Sequence, residues 1–216
     1  MSKKLFAVVS VALLVGLLVA AFSPLRGGGR IRADAFPTSR DPYQWPFPWD
    51  SIWNMPLHNN AQYVPSGITG GTGYVYTDDD VIILTPGSPM TDVYTSYADW
   101  SWRNRCTAEG PLITRLPIPS SLVIPHESGT PNMAAAVLQP DGQTIHQSQP
   151  FHRCTAGGYA TSHYVYPEDN ILTGDGIQGA HGGSGMSSLG GTIRMGELVP
   201  GGVIRHALKI GVYAHS

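Results

Sequence analysis

The chain has 216 residues and a formal net charge of −2, and from Phe36 onward it carries eight basic and fourteen acidic side chains, which leaves −6. A nucleic-acid-binding protein needs a basic surface, so that class is excluded. Charged residues make up only 13% of the chain, whereas 26 glycines and 18 prolines punctuate it, and this composition favours short strands and tight turns over a helical bundle.

An export signal is predicted at the start of the chain. Lys3 and Lys4 precede an uncharged, largely apolar run over residues 5–22. A basic start followed by such a run is typical of a secretory signal, and its length also reaches the lower limit for a membrane span. We therefore predict a secreted or extracytoplasmic protein that contacts a membrane only if this segment stays uncleaved as an anchor. The predicted domains are 1–22 as signal or anchor, 23–40 as flexible linker and 41–216 as a single β-rich domain.

Tryptophan and proline alternate in residues 41–53, and all five tryptophans lie in the first half of the chain. Proline blocks regular ladders, so this segment is expected to be ordered but irregular. Exposed indole faces stack on sugar rings, and we predict Trp49, Trp100 and Trp102 as glycan-binding residues. The alternative is that a tryptophan beside proline packs the irregular segment onto a core, which is favoured for Trp53.

Several short strands and one hairpin are predicted from side-chain alternation and turn residues. The hairpin spans 134–147, because Pro140, Asp141 and Gly142 form a turn sequence at its centre. No long amphipathic helix is indicated, so the predicted fold class is all-β, a sandwich or jelly roll with Gly/Pro-rich loops. The other predicted strands are 74–76, 81–84, the first half of 90–109, 112–116, 122–124 and 203–210.

Cys106 and Cys154 are the only cysteines of the chain. In an exported protein, two cysteines most often form one disulfide, which is the pairing we predict. The alternative is two free thiols, one of them nucleophilic.

The stretch 143–166 concentrates residues suited to acid–base chemistry on a polysaccharide. Cleavage of an acidic polysaccharide by β-elimination needs a cation or amide for the uronate carboxylate, a base and an acid for the leaving oxygen. His146, Arg153, His163 and Tyr164 are therefore the predicted catalytic residues if the protein is an enzyme. Residues 143–146 resemble the Q-[IV]-H element of jelly-roll alginate lyases with one residue inserted, whereas the two other elements of that family are absent.

No metal site is predicted, because the chain has neither an H-E-x-x-H motif nor paired C-x-x-C motifs. The loop Glu168, Asp169 and Asn170, together with Asp175, offers oxygen ligands of the kind that Ca²⁺ binds. Ordinary turn hydrogen bonding explains the same residues. No cofactor is therefore predicted beyond this candidate Ca²⁺ loop.

Three blocks of the sequence carry a family resemblance. They are D-S-I-W-N-M-P-L at 50–57, G-G-T-I-R-M-G-E-L at 190–198 and G-V-I-R-H-A-L-K-I at 202–210. Together they resemble secreted bacterial proteins of unknown function, and the resemblance implies no activity. Those proteins continue beyond the H-A-L block, so the resemblance implies a truncated member. Arg194 and Glu197, three residues apart, are expected to form a structural ion pair.

Two functions compete on this sequence. The first is a module that binds a glycan or cell-surface polymer through aromatic residues; the second is a polysaccharide-degrading enzyme that acts by β-elimination or hydrolysis. An enzyme is expected to gather His146, Arg153 and a tyrosine in one open cleft, whereas a binding module is expected to expose tryptophan faces. A purely structural wall or surface protein is the third alternative.

Overall fold

The structure is a computed structural model, and it describes part of the chain. All described residues belong to one unit, Ser39–Ser216. The predicted signal, most of the predicted linker and the predicted strand at 74–76 lie outside them. Among these residues there is no α-helix, and no helix is long and apolar enough to cross a membrane. The described residues are 39–57, 60–65, 67, 69–70, 77, 80–100, 103–126, 132–211 and 214–215.

Ten short strands occur in the described residues, and most of them pair into two sheets. One sheet has four strands in the order β2-β5-β6-β8, and the other has three in the order β4-β3-β7. Strands β1 and β10 form a separate two-stranded ladder. The strands are β1 (Thr69–Gly70), β2 (Val81–Ile83), β3 (Met90–Thr95), β4 (Leu112–Pro117), β5 (Ala135–Leu138), β6 (Thr144–Gln149), β7 (Ala160–Ser162), β8 (Tyr164–Asn170), β9 (Gln178–His181) and β10 (Ala214–His215).

The hairpin predicted at 134–147 is present as β5 and β6, and it forms the centre of the four-stranded sheet. Its turn closes through the Gln139 amide, which donates to the Thr144 carbonyl oxygen at 2.8 Å. Asp141 Oδ1 accepts hydrogen bonds from the amides of Gln143 and Thr144, and Gly142 has a φ of 72°, which glycine adopts without strain. Strand β2 pairs parallel with β5, and β8 pairs antiparallel with β6. Local turn chemistry therefore fixes the register at the centre of the sheet.

Strand β5 is buried on both faces and separates two apolar cores. Ala135 and Val137 face a core shared with the three-stranded sheet, to which that sheet contributes Val93 and Leu116. The opposite face of β5 packs under the N-terminal and C-terminal segments, in a core made of Phe47, Trp53, Ala136, Leu138, Ile145, Ile171 and Leu189. Because the two sheets share the first core, the fold is all-β with sandwich-like packing, as predicted.

The Cys106–Cys154 disulfide is present and joins residues 48 positions apart. Cys106 lies in the loop between β3 and β4, and Cys154 lies between β6 and β7. Strand β3 pairs with β4 on one side and with β7 on the other. The disulfide therefore links two loops that flank the three-stranded sheet, and neither cysteine is free.

The predicted strand at 203–210 is wrong. The side chains of this segment alternate between more and less exposed positions, but the segment forms no regular ladder. The Ala207 amide donates to the Trp53 carbonyl oxygen and the Lys209 amide donates to that of Gly191, each at 2.9 Å. Both acceptors lie in irregular segments, so alternation alone does not produce a strand here. Likewise, 122–124 provides only a single bridge, between Ile124 and Arg153.

Candidate functional site

Four aromatic residues form an exposed cluster beside β8. The rings of Trp100 and Tyr164 stack, with centroids 5.0 Å apart and planes inclined by 21°. The His163 ring meets the Tyr164 ring edge-on at 4.1 Å, and the Tyr97 ring lies 6.4 Å from that of His163. Trp100 is 40% exposed and Tyr97 is 51% exposed. We call Tyr97, Trp100, His163 and Tyr164 the Trp100 platform.

Strand pairing places the platform residues together. Strands β3 and β7 run parallel, with Thr95 opposite Ser162. The chain therefore leaves both strands at the same end, so the residues after β3 lie close to His163. His163 Nδ1 lies 2.7 Å from the carbonyl oxygen of Ser96, which fixes the imidazole ring against the segment after β3.

A salt bridge holds the other side of the platform. The Glu109 carboxylate accepts a hydrogen bond from the Tyr97 amide at 2.7 Å and pairs with the guanidinium of Arg103 at 2.7 Å. Arg103 also donates to the Tyr97 carbonyl oxygen. These contacts engage the backbone of Tyr97 and leave its ring out of the hydrogen bonding.

A buried amide lies next to the platform. Gln149 on β6 stands opposite Tyr164 on β8, and its Nε2 donates to the hydroxyl of Tyr166. Gln149 is only 3% exposed, and its Oε1 has no hydrogen-bond partner among the described residues. The buried amide therefore holds the Tyr166 phenol beside the platform, and an aromatic surface with a phenol at its edge can contact both the apolar and the hydroxyl-bearing parts of a sugar.

His146, the first predicted catalytic residue, is buried on β6. Its Nδ1 lies 4.0 Å from Glu168 Oε1, and its side chain is 5% exposed. Burial lowers the pKa of His146 to about 4, because desolvation disfavours the imidazolium. His146 is therefore neutral at neutral pH and is a weaker base than efficient proton transfer at that pH requires.

Arg153, the predicted uronate-binding cation, is 2% exposed. Its guanidinium donates to the carbonyl oxygens of Gly158 at 3.0 Å and Pro119 at 2.6 Å. Arg153 lines a cleft of about 260 Å³, but none of the residues lining this cleft belongs to the Trp100 platform. The Arg153 contacts join two loops. Of the predicted catalytic residues, the structure therefore brings only His163 and Tyr164 together in the platform, whereas Arg153 lies in a different environment.

The predicted glycan-binding tryptophans have different surroundings. Trp100 lies in the platform, whereas Trp102 lies outside the described residues. Trp49 is half-buried, with its ring centroid 5.4 Å from that of Trp45. Trp53 is 3% exposed within the second core, in agreement with the packing alternative for this residue.

The candidate Ca²⁺ loop uses its oxygen atoms in turns. Asp169 accepts hydrogen bonds from the amides of Asn170 and Gly176, and Asp175 accepts one from the amide of Ile177. In the described part of the chain, no group of three or more His, Cys, Asp or Glu side chains is arranged to hold a metal ion. Turn chemistry accounts for these residues in the structure, and Ca²⁺ binding stays a prediction.

The three blocks of the family resemblance meet around Trp53. Its indole Nε1 donates to the Gly176 carbonyl oxygen at 2.6 Å, and its backbone oxygen accepts the Ala207 amide. A Cβ atom at Gly190 would stand 2.3 Å from Trp53 Nε1, and one at Gly191 would stand 2.5 Å from the same ring. The glycines of the second block are thus needed for close packing against the tryptophan of the first.

The charged residues of these blocks pair differently from the sequence expectation. Glu197 Oε1 lies 2.9 Å from His206 Nε2, and Glu197 Oε2 accepts the backbone amide of Arg194 at 2.6 Å. No salt bridge joins the Arg194 guanidinium to Glu197 among the described contacts, and this guanidinium lies over the Trp45 ring. The expected Arg194–Glu197 side-chain ion pair is therefore replaced by a Glu197–His206 pair.

Lys209 is a buried cation that the sequence pattern placed on a polar strand face. Its Nζ donates to Asp80 Oδ2 at 2.7 Å and to the carbonyl oxygens of Ser187 at 2.7 Å and Ser188 at 3.3 Å. The side chains of Lys209 and Asp80 are 7% and 4% exposed. In the sequence, one signal could have drawn attention to Lys209. It is the sole lysine after residue 36, where every other basic residue is an arginine.

Comparison with known proteins adds no homologue. No family model, curated protein or solved structure matches the chain. The resemblance to secreted bacterial proteins stays a prediction, and the geometry of the described residues carries the functional interpretation.

Proposed function

We propose that this protein is an exported, extracytoplasmic β-domain that binds a glycan or cell-surface polymer through the Trp100 platform. The observation that carries the proposal is the stacked pair of Trp100 and Tyr164, each more than a third exposed on an otherwise folded surface. Aromatic faces bind the C–H faces of sugar rings, and a stacked pair presents one outer face of each ring. The Cys106–Cys154 disulfide is compatible with an oxidising, extracytoplasmic compartment.

The platform is preorganised for binding. Tyr164 stacks on Trp100, and His163 contacts both the Tyr164 ring and the Ser96 carbonyl oxygen, so the rings lose little rotational freedom when a ligand covers them. Covering roughly 100 Å² of the two rings would contribute about 2.5 kcal/mol. A micromolar complex needs about 8 kcal/mol, so one such contact supports weak binding. We therefore expect a polymer with repeated contacts as the physiological ligand.

The burial of two predicted catalytic residues supports binding over catalysis. His146 is neutral and below the surface, and the Arg153 guanidinium donates to backbone carbonyl oxygens. Cleavage of an acidic polysaccharide by β-elimination needs a base and a carboxylate-binding cation that touch the same sugar. The remaining two, His163 and Tyr164, belong to the platform and take a binding role in this proposal.

Affinity electrophoresis through gels containing neutral or uronic-acid polysaccharides tests the proposal. We expect the wild-type protein to be retarded by at least one polysaccharide, and Trp100→Ala and Tyr164→Ala to lose most of this retardation. Tyr63→Ala is the matched control, because Tyr63 is 80% exposed and lies outside the platform. Unchanged retardation of both platform variants would contradict the proposal, and an increase in ultraviolet absorbance from unsaturated sugars would instead identify a lyase.

A further inference from the structure

The Arg194 side chain is a cation whose terminal nitrogens meet no acceptor in the described part of the chain. Both Nη1 and Nη2 lie below the surface and have no hydrogen-bond partner among the described residues. Burial lowers the pKa of Arg194 to about 10, while Glu197 acts in the opposite direction. The guanidinium therefore stays charged at neutral pH. A buried guanidinium that makes no hydrogen bond through these atoms is energetically costly, which makes an external acceptor favourable.

Glu197, the carboxylate whose charge acts on the Arg194 pKa, does not supply this acceptor. Glu197 uses its two oxygens for the His206 ring and for the backbone amide of Arg194. The His206 side chain is fully buried, and its Nδ1 lies 2.8 Å from the Ala207 carbonyl oxygen, so the pair is fixed at both ends. Glu197 thus stabilises the turn that carries Arg194 without bonding to its guanidinium.

Aromatic rings line the same place. The Arg194 guanidinium carbon lies 5.5 Å from the Trp45 ring centroid, in a cation–π arrangement. Trp45 also contacts the rings of Trp49 and His206, at centroid distances of 5.4 and 6.3 Å. Trp45, Trp49 and Arg194 are all half-buried, so part of each reaches the surface. A fork-shaped cation over one indole ring, with a second indole next to that ring, suits a ligand that combines an anionic group with a sugar ring.

We propose that Trp45, Trp49 and Arg194 form a second subsite, which binds the carboxylate or sulfate group of an acidic sugar. The anion accepts the two terminal N–H groups of Arg194 side by side, and the sugar ring lies against the indoles. Because those nitrogens lie below the surface, ligand entry is expected to draw the guanidinium outward along the Trp45 ring, a rotamer change common at binding sites. The sugar identity rests on the proposed function, whereas the anion contact does not.

The test is fluorine NMR of the full chain labelled with 5-fluorotryptophan, with the Trp45 resonance assigned from Trp45→Phe. Sodium glucuronate and glucose 6-sulfate are titrated in separate arms, with glucose and inorganic sulfate as further arms. We expect either acidic sugar to shift the Trp45 resonance, and glucose to leave it unchanged. In Arg194→Gln the apparent affinity for the acidic sugar is expected to fall about tenfold, the loss typical of a charged hydrogen-bonding group.

Two variants keep the test decisive. Arg115→Gln is the matched control, because Arg115 is exposed, pairs with Asp92 and lies outside both proposed sites, and it should bind as the wild type does. If thermal unfolding shows that Arg194→Gln does not fold, Arg194→Lys replaces it, since lysine keeps the charge but loses the fork and should bind more weakly. The subsite would be overturned by an unmoved Trp45 resonance or by an equal shift in the Arg194 variant. A response to inorganic sulfate without a response to either acidic sugar would overturn it as well. Loss of platform binding with this shift intact would overturn only the proposed function.

Discussion

At the scale of single residues, the ions that matter most are the buried ones. Lys209 binds Asp80 and two carbonyl oxygens, which connects the C-terminal segment to the residue before β2 and to the loop after β9. Removing one partner of a buried ion pair leaves the other charge in a low-dielectric site, which costs roughly 3–5 kcal/mol. An exposed ion pair contributes about 1 kcal/mol or less.

We predict that Lys209→Met lowers the free energy of unfolding by roughly 3–5 kcal/mol, measured by urea denaturation. The matched control is Arg115→Met, because Arg115 pairs with Asp92 at 2.8 Å but is 60% exposed, and its loss should cost less than about 1 kcal/mol. Adding Asp80→Asn to Lys209→Met should recover part of the loss. Equal effects of the two single variants would contradict a structural role for the buried pair.

At the scale of elements, local chemistry and tertiary packing separate what the sequence could predict from what it could not. The β5–β6 hairpin follows from its own turn residues, and β2, β3 and β4 follow from their composition. Residues 203–210 also have the side-chain alternation of a half-buried strand. Their backbone partners, however, are Trp53 and Gly191, which no local pattern specifies. The platform depends on the parallel pairing of β3 with β7, so Trp100 alone among its residues was predicted for the glycan-binding role that we propose.

The contact between the N-terminal and C-terminal segments depends on the absence of a side chain at Gly190. A Cβ atom there would stand 2.3 Å from Trp53 Nε1, so Gly190→Ala should displace the indole and lower the free energy of unfolding by roughly 1–3 kcal/mol. Gly87→Ala is the control, because a Cβ atom at Gly87 meets nothing within 4 Å. Thermal unfolding of both variants measures the difference, and a Gly190→Ala protein as stable as the control would refute the packing argument.

At the scale of the whole molecule, two buried histidines link folding to pH. Burial lowers the pKa of both His146 and His152 from 6.5 to about 4, and for His152 the nearby Arg105 charge acts in the same direction. In the unfolded chain each imidazole takes up a proton near its ordinary pKa, whereas in the folded chain it resists protonation until about pH 4. The unfolded state therefore binds more protons between these values, and acid favours it.

The resulting prediction is that stability is full above about pH 6.5 and declines as the pH falls towards 4, with a loss approaching about 3 kcal/mol per histidine. Asp169 opposes this trend, since burial raises the pKa of its carboxyl. Urea denaturation at about pH 7 and about pH 4.5 measures the loss. His146→Gln should lower the number of protons taken up on unfolding by nearly one, because glutamine does not titrate. This difference is expected even if the substitution changes the stability at neutral pH. A pH dependence of the free energy of unfolding that is the same in His146→Gln as in the wild type would contradict the lowered pKa of His146.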